Sequence, residues 1–145
     1  MTIRVVDSSI VSASVFPGQY LAAAQRFLVE SRGTLVAPEF LLHEVANAAW
    51  QLRKRQRITR EQVTRSFIEF ERLGLEIVDS RHWALRAFAL AEQFTLPAVY
   101  DAIYLACAED LDAELWTCDR RFVASFGPER PEQLKLCPDD LPPGR

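Results

Sequence analysis

Four acidic residues in this chain could share one piece of chemistry. Asp7 closes the short apolar run of "IRVVDSS". Glu44 sits in "FLLHEVANAAW". Asp101 is the only charged residue between Leu96 and Ala108, inside "PAVYDAIYLACAED". Asp119 follows the apolar stretch of "LWTCDRRF". Each has a plain structural reading. Asp7 and Asp119 could cap the helices that follow them. Glu44 could be a solvated residue of an amphipathic helix. Asp101 could cap a helix, or sit in its first turn where the dipole favours an acid; Pro97 is an equally good first-turn residue. Read as a group, they mean something else. Like charges at short range raise one another's pKa, and a divalent cation removes that conflict. An all-oxygen ligand set suits Mg2+ or Mn2+ rather than zinc. Such a cation binds phosphate and activates water, and the chemistry that follows is phosphodiester hydrolysis.

Other catalytic arrangements find little material. His43 and Glu44 begin like a zinc-binding H-E-x-x-H, but position 47 is Asn47. The only other histidine is His82, so Cys–His and Ser–His–Asp sets lack partners. No G-x-S-x-G, P-loop or G-x-G-x-x-G occurs, and the chain has only 5 glycines to build one. A phosphotransfer domain also places an Asp at a strand end. A phosphatase of that kind needs a second acid two residues on, where Ser9 stands. A receiver needs early paired acids and a late lysine, and neither Lys54 nor Lys135 is well placed.

The chain has 145 residues, 49% of them apolar, which fits one domain with a sizeable core. The net charge of -3 gives no global pull toward nucleic acid or membrane. The 3 cysteines, Cys107, Cys118 and Cys137, have no C-x-x-C spacing and argue against a disulfide framework. With no signal-like N-terminus and no long apolar window, a reducing cytoplasm is the expected compartment and no membrane is expected.

The carboxylates need elements to hold them. Strands are expected at residues 3–6, 34–37, 75–78, 114–117 and 134–136. Helices are expected at 9–14, 19–30, 39–55, 60–73, from Asp79 or Ser80 to Phe94, at 98–110 and at 120–126. Thr59 and Gln62 form a capping-box pattern before one of them. Alternation of strand and helix predicts a three-layer α/β/α fold with a central, mostly parallel sheet of four to five strands. One domain should cover 1–136, and 137–145 should be an irregular tail. Ligands of such sheets bind beyond the carboxyl ends of the strands, which is where Asp7 and Asp119 fall.

The stretches "IRVVDSSIV", "APEFLLHEVANA", "LPAVYDAIYLACAE" and "LWTCDRRF", in that order and spacing, resemble the PIN-domain ribonucleases, specifically the VapC-type toxins of toxin–antitoxin pairs. The likeness runs to about residue 126. It implies a PIN-like fold and a metal-dependent endoribonuclease. It implies that Asp7, Glu44, Asp101 and Asp119 are the acidic metal-binding positions, with Ser9 and Thr117 as supporting groups. It implies a small antitoxin as partner, RNA as substrate, and a homodimer. Some relatives carry a further acid just after the last Asp; this chain has Arg120 and Arg121 there. The alternative within the same fold is an inactive module that binds RNA or protein.

Basic residues cluster in "RKRQRITREQVTR", where Arg53, Lys54, Arg55, Arg57, Arg60 and Arg65 face one acid, Glu61. Arg53 and Arg55 are candidate phosphate contacts, against the plain reading of a solvated hairpin tip. Arg120 and Arg121 flank Asp119 and are better placed for phosphate. The helices at 39–55 and 60–73 are expected to pair antiparallel. Trp50, Phe67, Ile68 and Phe70 either pack the core or receive an amphipathic partner helix.

Overall fold

The computed structural model describes residues 1–144. Five strands form one sheet: β1 (Arg4–Val6), β2 (Leu35–Pro38), β3 (Glu76–Val78), β4 (Glu114–Thr117) and β5 (Leu134–Leu136). Their order is β3-β2-β1-β4-β5 and every pair is parallel. The connections are α1 (Ser8–Val15) and α2 (Leu21–Glu30), α3 (Leu41–Lys54) and α4 (Arg60–Arg72), α5 (Ala84–Phe94) and α6 (Val99–Asp110), then α7 (Arg120–Ala124). The chain winds outward from β1 through β2 to β3, then crosses back to β4. Right-handed crossovers therefore put α1–α4 on one face and α5–α7 on the other, which is the three-layer arrangement expected.

The core explains the register. Val5, Val6, Leu115 and Leu134 are fully buried or nearly so, and both faces of the central strands are covered. Helix α6 lies against β1, β2 and β4, and its run from Ala102 to Ala108 holds six buried residues besides the partly exposed Ile103. The small side chains Ala102, Ala106 and Ala108 let the helix sit close to the sheet. The β1–β4 seam is where the winding reverses. Ligands of open parallel sheets bind at that seam, beyond the strand ends.

Some boundaries differ from expectation. Between β3 and α5 stands a separate 3-10 turn, Arg81–Trp83. Asp79 accepts from the Arg81 N–H, while Ser80 is drawn off to Glu39, to which its N–H and hydroxyl both donate at 2.8 and 2.9 Å. Helix α5 ends on Thr95 in the left-handed region, and α4 is followed by Gly74 at φ 67°. Helices α3 and α4 do not form the close antiparallel pair expected; each packs on α1 instead. Among the described residues the tail has no helix or strand beyond Leu136, yet it is pinned: Arg130 pairs with Asp140, whose carboxylate accepts the Leu136 N–H at 2.7 Å. Arg145, the last residue of the expected tail, lies outside the described residues.

Candidate active site

Asp7 is the first residue past β1 and Asp119 the second past β4, so neighbouring strands deliver both to the seam. Asp7 is 5% exposed. Its Oδ1 accepts from the N–H groups of Ser9 and Ile10 at 3.0 and 3.3 Å, and from the Ser9 hydroxyl at 2.5 Å. Its Oδ2 accepts a short hydrogen bond from the Thr117 hydroxyl. Ser9 in turn accepts from the Cys118 N–H at 2.8 Å, and Thr117 from the Asp119 N–H at 3.0 Å. Each hydroxyl has one proton, and both protons go to Asp7. The 3.2 Å approach between the two hydroxyls is therefore a contact, not a further donation. Ser9 and Thr117 tie the Asp7 carboxylate to the turn that carries Asp119.

Glu44 enters from α3 and Asp101 from α6, so the two helical layers meet over the sheet edge. Tyr104, one turn beyond Asp101, donates its hydroxyl to Glu44 Oε1 at 2.6 Å. Asp119 caps α7, accepting from the Arg121 and Phe122 N–H groups. Asp7 caps α1 in the same way, so both residues take the capping role weighed for them. Asp101 does not cap α6: Ala98 holds that position, and Asp101 makes no side-chain hydrogen bond among the described residues.

Burial holds Asp7 well above the usual carboxylate range, at about 7, against the lowering pull of Ser9, Thr117 and the Ile10 N–H; the charge of Asp101 adds to the rise. Asp101 is pushed up to about 6, chiefly by burial and then by the charges of Asp119 and Glu44. Burial also raises Glu44, with the Tyr104 hydroxyl and then the Ser8 hydroxyl opposing. Asp101 is thus the group whose charge is linked to Asp7, Glu44 and Asp119. Among the described residues seven ion pairs form, and none of them uses Asp7, Glu44, Asp101 or Asp119. Nor do any three His, Cys, Asp or Glu side chains, among the described residues, close on one point as a ready-made cage. Three of the four carboxylates have turned instead to internal donors: Asp7 to Ser9 and Thr117, Glu44 to Tyr104, Asp119 to α7. The donor set itself, all oxygen, anionic and without a protein cation, fits a hard divalent ion.

The basic residues divide. Arg120 is committed away from Asp119: its guanidinium makes a two-pronged pair with Asp139 and donates to the Tyr20 hydroxyl at 2.9 Å. That corrects the expectation of a free phosphate contact there. Arg121 is exposed, as are Arg53 and Arg55 at the end of α3. Glu109 and Asp110 are engaged elsewhere, with Arg86 and with the Trp83 indole N–H. Of the apolar candidates, Phe70 is buried, Phe67 is partly buried, and Trp50 and Ile68 are exposed. The main groove, of about 590 Å³, lies between α2 and α4 and not between α3 and α4; Val15, Leu21, Leu28, Val29, Ile58 and Leu73 line it. Tyr104 is a residue of the site that the sequence reading does not single out. Its signal was there: a hydroxyl three residues past Asp101 shares that face of the helix and needs a partner when buried.

The PIN domain family model matches residues 4–124. Ribonuclease VapC3 of Pyrobaculum aerophilum is 28% identical over 124 residues, covering 84% of this chain and 93% of its own. Among solved structures, a toxin–antitoxin complex from Klebsiella pneumoniae aligns with a TM-score of 0.63 and 22% identity, covering 92% of this chain and 96% of the other. VapC20 of Mycobacterium tuberculosis, described as a sarcin–ricin loop cleaving toxin, aligns with a TM-score of 0.65 and 17% identity, covering 88% and 99%.

Proposed function

Because the chain belongs to the PIN-domain family, we propose that it is a divalent-metal-dependent endoribonuclease and the toxin of a toxin–antitoxin pair. One observation carries the catalytic reading. Asp101 feels the charges of Glu44 and Asp119 and adds to that of Asp7 beside the topological switch point; Asp7 is 5% exposed, and none of the four has a cationic partner among the described residues. Like charges held within range of one another favour the binding of a cation. Asp7, Glu44, Asp101 and Asp119 would hold Mg2+ or Mn2+. When bound, the ion supplies Lewis-acid charge for a phosphodiester and acidifies water.

The residues of the chain do the rest. Ser9 and Thr117 fix the Asp7 carboxylate, so it need not reorganise when RNA arrives. Asp101, free of other hydrogen bonds among the described residues, is the carboxylate left able to turn toward the ion and the water it binds. Arg121, Arg53 and Arg55 offer charge to the RNA backbone. The antitoxin lays an amphipathic helix in the groove between α2 and α4, whose walls are apolar with Arg32 and Arg65 at the rim. A second copy of the chain docks on the apolar side of α5, where Leu85 and Phe88 stand exposed. No described helix is long and apolar enough to cross a membrane, and free thiols at Cys107, Cys118 and Cys137 suit a reducing cytoplasm.

The test is cleavage of tRNA, rRNA and mRNA by purified, antitoxin-free protein. Cleavage with Mg2+ or Mn2+ that EDTA abolishes supports the proposal. The lack of a preformed cage favours the second reading, an inactive binding module. Metal-independent RNA binding with no cleavage, unchanged in Asp7→Asn and Asp101→Asn, would establish that second reading.

A further inference from the structure

Tyr104 is 1% exposed and lies among the buried residues of α6. Its ring is locked: Phe40 packs on it with centroids 4.9 Å apart, and Tyr100 continues the aromatic row against Phe40. A buried phenol needs a hydrogen-bond partner, and here that partner is Glu44 Oε1 at 2.6 Å. That length belongs to a hydroxyl donating to a charged carboxylate. Phe40 immediately precedes α3, the helix that carries Glu44, so one aromatic contact and one hydrogen bond fasten α3 to α6 at the sheet edge. Glu44 has three side-chain torsions. Left alone, it would lose more conformational entropy on ligation than an Asp would.

Resting on the metal-dependent reading above, we propose that Tyr104 is a positioning residue: its hydroxyl holds Glu44 Oε1 and leaves Oε2 as the oxygen that faces Asp101 and the cation. Tyr104 touches neither metal nor RNA. It acts through Glu44, as outer groups orient metal-binding carboxylates elsewhere. Tyr104 and Asp101 stand one turn apart on α6. The same helix therefore supplies one ligand directly and aims another on the facing layer. The geometry makes the distance between the two carboxylates a property of α6 rather than of the freedom of a glutamate.

The test uses Mn2+ binding to EDTA-stripped protein, followed by titration calorimetry and by the electron spin resonance of free Mn2+. Tyr104→Phe removes one oxygen and keeps the ring, so thermal melting of the stripped protein should change little. Mn2+ affinity should fall about tenfold. In a Glu44→Gln background, Tyr104→Phe should add less than about a twofold further loss, since its route is already cut. Unchanged Mn2+ affinity in Tyr104→Phe overturns the assignment. So does a full further loss in the Glu44→Gln background. A wild-type chain that binds no Mn2+ overturns the metal reading itself and this inference with it. Wild-type protein offers a check that needs no variant. The Tyr104 hydroxyl proton, observed by NMR, should be downfield and slow to exchange, and should persist when Mg2+ is added. Its disappearance on Mg2+ addition would mean that the cation displaces Tyr104 and that the hydroxyl does not hold Glu44 in the working state.

Discussion

Asp101 makes no side-chain hydrogen bond among the described residues, although it lies in the first turn of α6 where N–H donors point outward. Its neighbours in charge are Asp119 and Glu44. Replacing it with Asn removes a like charge and keeps the shape. Asp101→Asn should therefore melt within a few degrees of wild type and lose RNA cleavage by about 10²–10⁴-fold, read by gel assay with Mg2+. Loss of folding instead would return Asp101 to a structural role. Asp7 predicts a pH effect. Its carboxyl is raised from 3.8 to about 7, so between those values the folded chain holds a proton that the unfolded chain has released. That contribution to stability is complete below about pH 4 and is lost as pH rises through 7. The lowered carboxyls of Asp139 and Asp140 act below that window. Metal-free protein should thus melt lower at pH 8 than at pH 5.5, and Mg2+ should restore more stability at pH 8, where the ligands are ionised. Melting curves at both pH values, with and without Mg2+, check this. Equal Mg2+ effects at the two pH values would contradict it. At this scale the four candidate acids and, through the family resemblance, Ser9 and Thr117 were legible, but not the contacts they make. Thr117 reaches Asp7 only because β1 and β4 are neighbours, and Arg120 turns to Asp139 only because β5 brings the tail back beside α7.

Helix α4 shows what local sequence settles and what it does not. Thr59 and Gln62 form the capping box that their spacing predicts. Thr59→Ala should cost about 1 kcal/mol in denaturant unfolding, because one N-terminal donor loses its acceptor, and should leave metal-dependent turnover unchanged. A large loss of turnover would tie the basic loop to catalysis rather than to substrate binding. Strong periodicity and good caps made most helices readable. The break before α5 was not readable, since it depends on Ser80 being captured by Glu39 from another element. The placement of α3 and α4 failed for a related reason. Amphipathic faces reveal that a helix packs, but α1 offers both of them a surface that neither offers the other.

For the molecule as a whole, alternating strands and helices gave away the parallel sheet, while strand order stayed hidden. Order matters for function because only β3-β2-β1-β4-β5 makes the β1–β4 seam the switch point and brings Asp7 beside Thr117. Charge is distributed to match. An acidic chain of net -3 keeps exposed arginines at the end of α3 and beside Asp119. RNA binding should weaken steeply with salt, and removing Arg53 or Arg55 should lower the slope of log K against log salt by about 0.7 each for single-stranded RNA. An unchanged slope in both variants would place the RNA path elsewhere. The central claim is that four carboxylates from two layers and two strand ends hold one divalent ion. Anomalous scattering from crystals of the metal-free protein soaked in Mn2+ tests it most directly. The account predicts a peak at about 2 Å from carboxylate oxygens of Asp7 and Asp101, with Asp119 and Glu44 turned toward it. Crystals that take up Mn2+ with no peak among these four residues would contradict it.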